Sequence, residues 1–122
     1  MKIKIVFCFL TNMIFWQYVT CQKLVFITTV EYLDLLDGGA SAMHVPSSDG
    51  LEDHIPLKGL YSFAGYISEK KIKENDATIM GKIQTFLNQG WEILHVSSAT
   101  QPKTDSGKPP CIITRYLLIK KV

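Results

Sequence analysis

The densest group of side chains able to hold a metal or move a proton lies between residues 44 and 54. His44, Asp49, Glu52, Asp53 and His54 bring two imidazoles and three carboxylates close together in the chain. Two histidines and one carboxylate suit zinc, which takes imidazole nitrogen and carboxylate oxygen in tetrahedral sites. The spacing repeats no metal-ligand motif, and Asp49-Gly50-Leu51-Glu52-Asp53 does not follow the calcium-loop pattern. No metal or other cofactor is expected. His44, His54, Asp49 and Asp53 are the candidate ligands, set against the plainer reading of a solvated acidic loop with two incidental histidines.

Three other groupings have chemical potential. Cys111 and His95 fall on neighbouring predicted strands, where a thiol and an imidazole form a nucleophile and its base. No local signature surrounds them, and a lone strand cysteine more often behaves as a small buried hydrophobe. Gly38-Gly39 lacks the strand–loop–helix setting of a phosphate-binding loop. Trp91, Phe86 and Tyr116 offer a flat aromatic surface for a ligand, but aromatic residues at these spacings more often form core. No catalytic residues are assigned.

The elements that would position these groups are partly legible. Leu24 to Leu33 is rich in β-branched and aromatic residues and predicts a first strand. Residues 33–60 contain the turn signals Asp37-Gly38-Gly39 and Pro46-Ser47-Ser48-Asp49-Gly50 and no sustained period, which predicts a long irregular connection. Tyr61 to Ile67 alternates as a second strand, with Gly65 at a bulge. Asp76 is placed to cap a helix over about 77–89. Ile79, Ile83, Phe86 and Leu87 form its apolar stripe, widened by Met80, while Lys82, Thr85, Asn88 and Gln89 face solvent. Gly90 stands where a helix stops in the left-handed conformation, and Trp91 opens a strand to Ser97 that anchors the helix on the sheet. Residues 99–110 form a flexible loop, and Cys111 to Lys121 a final strand antiparallel to the preceding one. The expected fold is α+β: a small antiparallel sheet of three to four strands with one amphipathic helix packed on one face, in the order β-(β)-α-β-β.

Leu87-Asn88-Gln89-Gly90-Trp91-Glu92-Ile93-Leu94, after an amphipathic helix and before a strand ending Tyr116-Leu117-Leu118-Ile119-Lys120-Lys121, resembles the small bacterial proteins of a domain-of-unknown-function family numbered four-one-seven-seven. The resemblance covers about residues 76–121, with Glu31-Tyr32 echoing the family's first strand. It implies the helix, its glycine stop and a closing hairpin. It brings no activity and no site residues. The 33–60 stretch and the extra strand depart from the family pattern.

The start of the chain has a different character. Lys2 and Lys4 precede the apolar run Ile5 to Leu10, which Met13 to Trp16 extends, and the pattern ends at Thr20-Cys21. This is the plan of a secretory signal peptide over residues 1–21, followed by one domain over 22–122. Lys-Ile-Lys-Ile also alternates as a strand would. Cleavage after Cys21 fits an ordinary signal peptidase. Cleavage before it would leave Cys21 for lipidation, although Tyr18-Val19-Thr20-Cys21 matches a lipobox only loosely. The expected location is outside the cytoplasm, in the periplasm, the cell envelope or the medium, with membrane attachment only through a lipid at Cys21. Without Cys8 and Cys21 a single cysteine is left, so no disulfide framework is expected.

The 122 residues are 47% hydrophobic and 20% charged, an ordinary globular composition. Beyond residue 21 the eleven basic and eleven acidic residues balance, so charge gives no case for nucleic acid. They are unevenly spread: residues 22–69 hold two basic and seven acidic residues, and residues 70–122 hold nine basic and four acidic. The plain reading is complementary packing of the two halves.

In the final strand Ile112, Tyr116 and Leu118 point one way and Ile113, Leu117 and Ile119 the other. One helix covers one face. The second face requires either the 33–60 segment or another chain over it. The function expected on this basis is non-enzymatic binding or assembly through an apolar sheet face, with an unknown protein or a second copy as partner. The alternative is a small metal-dependent or hydrolytic enzyme using residues 33–60.

Overall fold

The computed structural model describes residues 22–35, 37–47 and 50–121. Among the described residues, five strands and one helix follow in the order β1 (Gln22–Tyr32), β2 (Asp37–Pro46), β3 (Glu52–Lys58), α1 (Glu69–Asn88), β4 (Glu92–Gln101) and β5 (Cys111–Lys121). The strands form one sheet in the order β3-β2-β1-β5-β4, with every neighbouring pair antiparallel. The α+β class stands. The strand count is corrected from three or four to five, and the order becomes β-β-β-α-β-β.

The additional strands come from residues 33–60, which are a hairpin and not an irregular connection. Glycine, alanine and proline give this stretch little strand propensity of its own. Pairing on both sides of β2 supplies what propensity lacks. Met43 and Val45 alternate into the core, and the small residues Ser41 and Ala42 are also fully enclosed. A bulge between Asp37 and Ala42 interrupts the β2–β3 ladder, and Ser41 Oγ accepts the Tyr32 N–H at 2.8 Å. The predicted strand at 61–67 is also corrected: only Tyr61 and Ile67 form a bridge. The chain turns tightly there, with Gly65 at φ +76° and its N–H donating to Ser62 O at 2.9 Å.

The helix starts two turns before the expected position. Ser68, not Asp76, caps it, accepting the Lys71 N–H through Oγ at 3.4 Å. Its first turns, Glu-Lys-Lys-Ile-Lys-Glu-Asn, lack an apolar stripe, but glutamate and lysine are good helix formers and Glu69 suits the positive helix start. The buried residue of that stretch is polar. Asn75 Oδ1 accepts the Lys58 N–H at 2.8 Å, and Asn75 Nδ2 donates to Lys58 O at 3.0 Å and to Glu31 Oε2 at 2.8 Å. The amide thus pairs with β3 as a neighbouring strand would.

The helix ends as its sequence implies. Gly90 adopts φ +87°, its N–H donates to Leu87 O at 3.0 Å, and the Trp91 N–H reaches back to Phe86 O at 3.1 Å. These are the paired bonds of a Schellman stop. Ile79 and Ile83 enter one buried cluster with Ile27, Met43, Val45, Leu57 and Leu118. Phe86, Leu87 and Trp91 are partly buried against it, whereas Met80 is 61% exposed and does not widen the stripe.

Candidate binding face

Register sorts the sheet's side chains onto two faces, since successive residues alternate across a strand. Val25 and Ile27 of β1 lie beside Leu118 and Tyr116 of β5, and all four belong to the buried cluster or pack against it. The opposite face carries the intervening residues. Leu24 faces Ile119, Phe26 faces Leu117, Thr28 faces Arg115 and Val30 faces Ile113. Leu24 and Phe26 are each 57% exposed. Two exposed apolar side chains on the central strand leave one end of this face open, whereas Ala42, opposite Val30, and Cys111, opposite Tyr32, are buried on the same face. The 33–60 segment, one of the two expected covers, instead widens the sheet at its edge.

Polar residues border this apolar centre. Across the row of Thr28, the register runs from Ser97 through Arg115 and Thr28 to His44 and His54. His95, opposite Leu117, and Glu52, opposite Pro46, continue the border on either side. β4 is exposed along its whole length and forms one sheet edge. An irregularity between Ile93 and His95 shifts its register there.

The candidate metal ligands separate. His44 and His54 are direct cross-strand neighbours whose rings meet edge to face at 4.7 Å, and His44 Nδ1 lies 3.6 Å from Glu52 Oε1. Asp53 belongs to the other face, where its Oδ2 lies 3.7 Å from Lys82 Nζ. Lys82, expected in solvent, therefore has a partner on β3. Asp49 and Cys21 lie outside the described residues. Among the described residues no group of three or more His, Cys, Asp or Glu is placed to hold a metal ion.

Cys111 and His95 do not meet. Cys111 sits opposite Gln101 and His95 opposite Leu117, so six residues of β5, roughly 20 Å, separate them. The Cys111 thiol is buried and donates to Gln101 Oε1 at 3.7 Å. Gly38 and Gly39 lie within β2, which leads into β3 and not into a helix.

The aromatic trio is partly assembled. Phe86 and Trp91 pack edge to face at 5.9 Å and line a cleft of about 410 Å³ with Val25, Val45, Asp53 and Lys82. Tyr116 is not among the cleft's lining residues. It lies between Ile27 and Val96, and burial first, then the charges of Glu31 and Asp76, raise its pKa above the ordinary 10.0. On the opposite face a second cleft of about 330 Å³ is lined by Leu24, Phe26, Pro46 and Leu51. Both clefts lie beyond the short β1–β2 ladder, which registers only Thr28, Thr29 and Val30 of β1.

The sequence alone did not single out Leu24, Phe26 or Arg115. The signal was present in the run Leu24-Val25-Phe26-Ile27, which is apolar at both parities. No helix among the described residues is long and apolar enough to cross a membrane. No protein-family model, curated protein or solved structure matches this chain.

Proposed function

We propose that this protein is a non-enzymatic binding or assembly protein of the cell exterior, acting through the sheet face that carries Leu24 and Phe26. In this reading α1 lies over the Ile27 face, closing the core on that side and leaving the Phe26 face for a partner. The observation that carries the proposal is the 57% exposure of both Leu24 and Phe26 on the central strand. An apolar patch bordered by polar residues is the usual form of an interaction surface. Export is proposed from the basic start and apolar run of residues 1–21, and the resemblance to the small bacterial family is proposed from residues 76–121. Both are arguments from sequence.

The test of the face is uptake of an apolar dye by dilute protein. Uptake that falls in Phe26→Asp is expected. A single-chain mass together with no dye uptake would remove the face. For export, mass spectrometry on protein from its native host should find a chain starting near Cys21 or Gln22, and an intact Met1 start would overturn it. The enzymatic alternative draws on the contact of His44 with His54 and Glu52. Stoichiometric zinc in the purified protein, lost in His44→Ala, would favour that alternative.

A further inference from the structure

We infer that the outer edge of β4 is an association site for a second copy of this chain, pairing antiparallel with the same strand about a two-fold axis at Ser98. This surface is separate from the Phe26 face and goes beyond the reading above.

The alternation of backbone bonds shows which groups each sheet edge presents. Leu33 donates its N–H to Pro110 O, so the odd-numbered residues of β1 turn their backbone groups toward β5. Carried through the register, His95, Ser97, Ala99 and Gln101 bond to β5, and Val96, Ser98 and Thr100 present their N–H and C=O outward. The same alternation leaves His54, Pro56 and Lys58 outward on β3, at the other edge.

The two edges differ. Pro56 has no N–H to offer, and the Lys58 N–H and C=O are already taken by Asn75. Glu52 and Asp53 add charge at the start of β3. Such features keep a sheet edge from pairing with another chain. On β4 they occur only at the ends, as the irregularity between Ile93 and His95 and as Pro102. From His95 to Gln101 there is no proline, lysine, arginine or carboxylate, and every residue is exposed. Among the described residues β5 is the only strand beside it.

The occupant follows from the strand's own pattern. With the axis at Ser98, Val96 of one copy stands opposite Thr100 of the other, and Ser98 opposite Ser98. All three outward residues of each copy then fall in bonded pairs, giving about six backbone bonds between the chains. Past Gln101 the chain runs through Pro102 to Lys103. The extra residue at the β4 irregularity brings Glu92, the strand's only carboxylate, opposite Lys103 of the other copy at both ends of the pair. Unlike charges there fix the register. The pairing also closes: both β4 edges are consumed, and the joined sheet ends on two β3 edges, so assembly stops at two chains. The contact is narrow and held by backbone bonds, so association depends on concentration.

The experiment joins sedimentation of the full chain over a concentration series with residue-level amide exchange by NMR. The expected result is a rise to two-chain mass, with the Val96, Ser98 and Thr100 amides slowing as the mass rises. The Ser97 and Ala99 amides, bonded to β5, should be slow at every concentration. Ser98→Lys and Ser98→Glu each set like charges opposite one another at the axis and should weaken association about fivefold or more, whereas a mixture of the two variants should associate again. Glu92→Lys should weaken it about threefold, and Glu92→Lys/Lys103→Glu should recover most of that loss. Phe26→Asp, on the other surface, should leave it unchanged. Circular dichroism checks each fold, and the exchange pattern of the unmodified chain carries the test should a variant not fold. Single-chain mass at every concentration would overturn the inference and leave the Phe26 reading standing. Two-chain mass lost in Phe26→Asp but kept in Ser98→Lys would put the contact on the Phe26 face and overturn it. Mass growing beyond two chains would show the β3 edge to be open and overturn the closed pair.

Discussion

Phe86 and Trp91 are joined twice: the Trp91 N–H donates to Phe86 O at 3.1 Å, and their rings meet edge to face at 5.9 Å. The backbone bond stops the helix and the ring contact fixes the direction in which β4 departs. Trp91 is half-buried, so Trp91→Ala removes on the order of 100 Å² of apolar contact and should cost about 2–3 kcal/mol by chemical denaturation. Gly90→Ala should cost about 1 kcal/mol. Its added methyl would lie an ordinary 3.8 Å from Lys120 Cε, so the cost is that of the positive φ and not of crowding.

Asn75 makes the next prediction. Its amide serves both backbone groups of Lys58 and one oxygen of Glu31. Asn75→Leu leaves those groups without this partner in a buried position and should cost about 2–4 kcal/mol. Asn75→Asp should be worse, because it sets a second carboxylate beside Glu31. Equal stability of Asn75→Leu and the wild type in urea would contradict this role.

The phase of the helix is tested by alanine substitution. Ile79→Ala and Ile83→Ala should each cost about 2–4 kcal/mol, since both side chains are almost fully enclosed. Met80→Ala should stay within about 0.5 kcal/mol, because that side chain is 61% exposed. A comparable loss for all three would place the helix in a different rotation.

Tyr116 sets a pH dependence at the alkaline end. Its pKa is raised in the folded chain, by burial first and by Glu31 and Asp76 next, above the ordinary 10.0. Between the unfolded and folded values the unfolded chain has lost the proton that the folded chain keeps. Stability is therefore fully present below pH 10 and falls as pH rises through the raised value. Tyr116→Phe should flatten that fall in a series of melts above pH 10.

The elements nearest the chain's end were legible because local chemistry decides them. The Gly90 stop, the buried pair Ile79 and Ile83, and the span of β5 follow from one glycine, a helical period and a β-branched run. The β2–β3 hairpin was not legible, since Gly38, Gly39, Pro46 and Pro56 oppose strand formation locally and only pairing with β1 stabilises it. The early helix start was hidden for a related reason: its inward residue, Asn75, is polar. The apolar second face was anticipated from the parity of Ile113, Leu117 and Ile119, but which strand lies at its centre depends on topology. The separation of Asp53 from His44 and His54 likewise follows from alternation along a strand that the sequence did not reveal.

The pairing of β1 with β5 runs without interruption from Gln22 opposite Lys121 to Tyr32 opposite Cys111. The strand at the middle of the sheet is thus joined to the one farthest from it in sequence. The β2–β3 hairpin and α1 can form from neighbouring residues, but closing the centre requires almost the whole described chain and its loop entropy. A chain without β5 therefore has six of the seven residues of the buried cluster but lacks Leu118 and the strand that completes the centre of the sheet. Once zipped, β1 and β5 hold each other, so losing either strand opens the sheet at its middle and not at an edge.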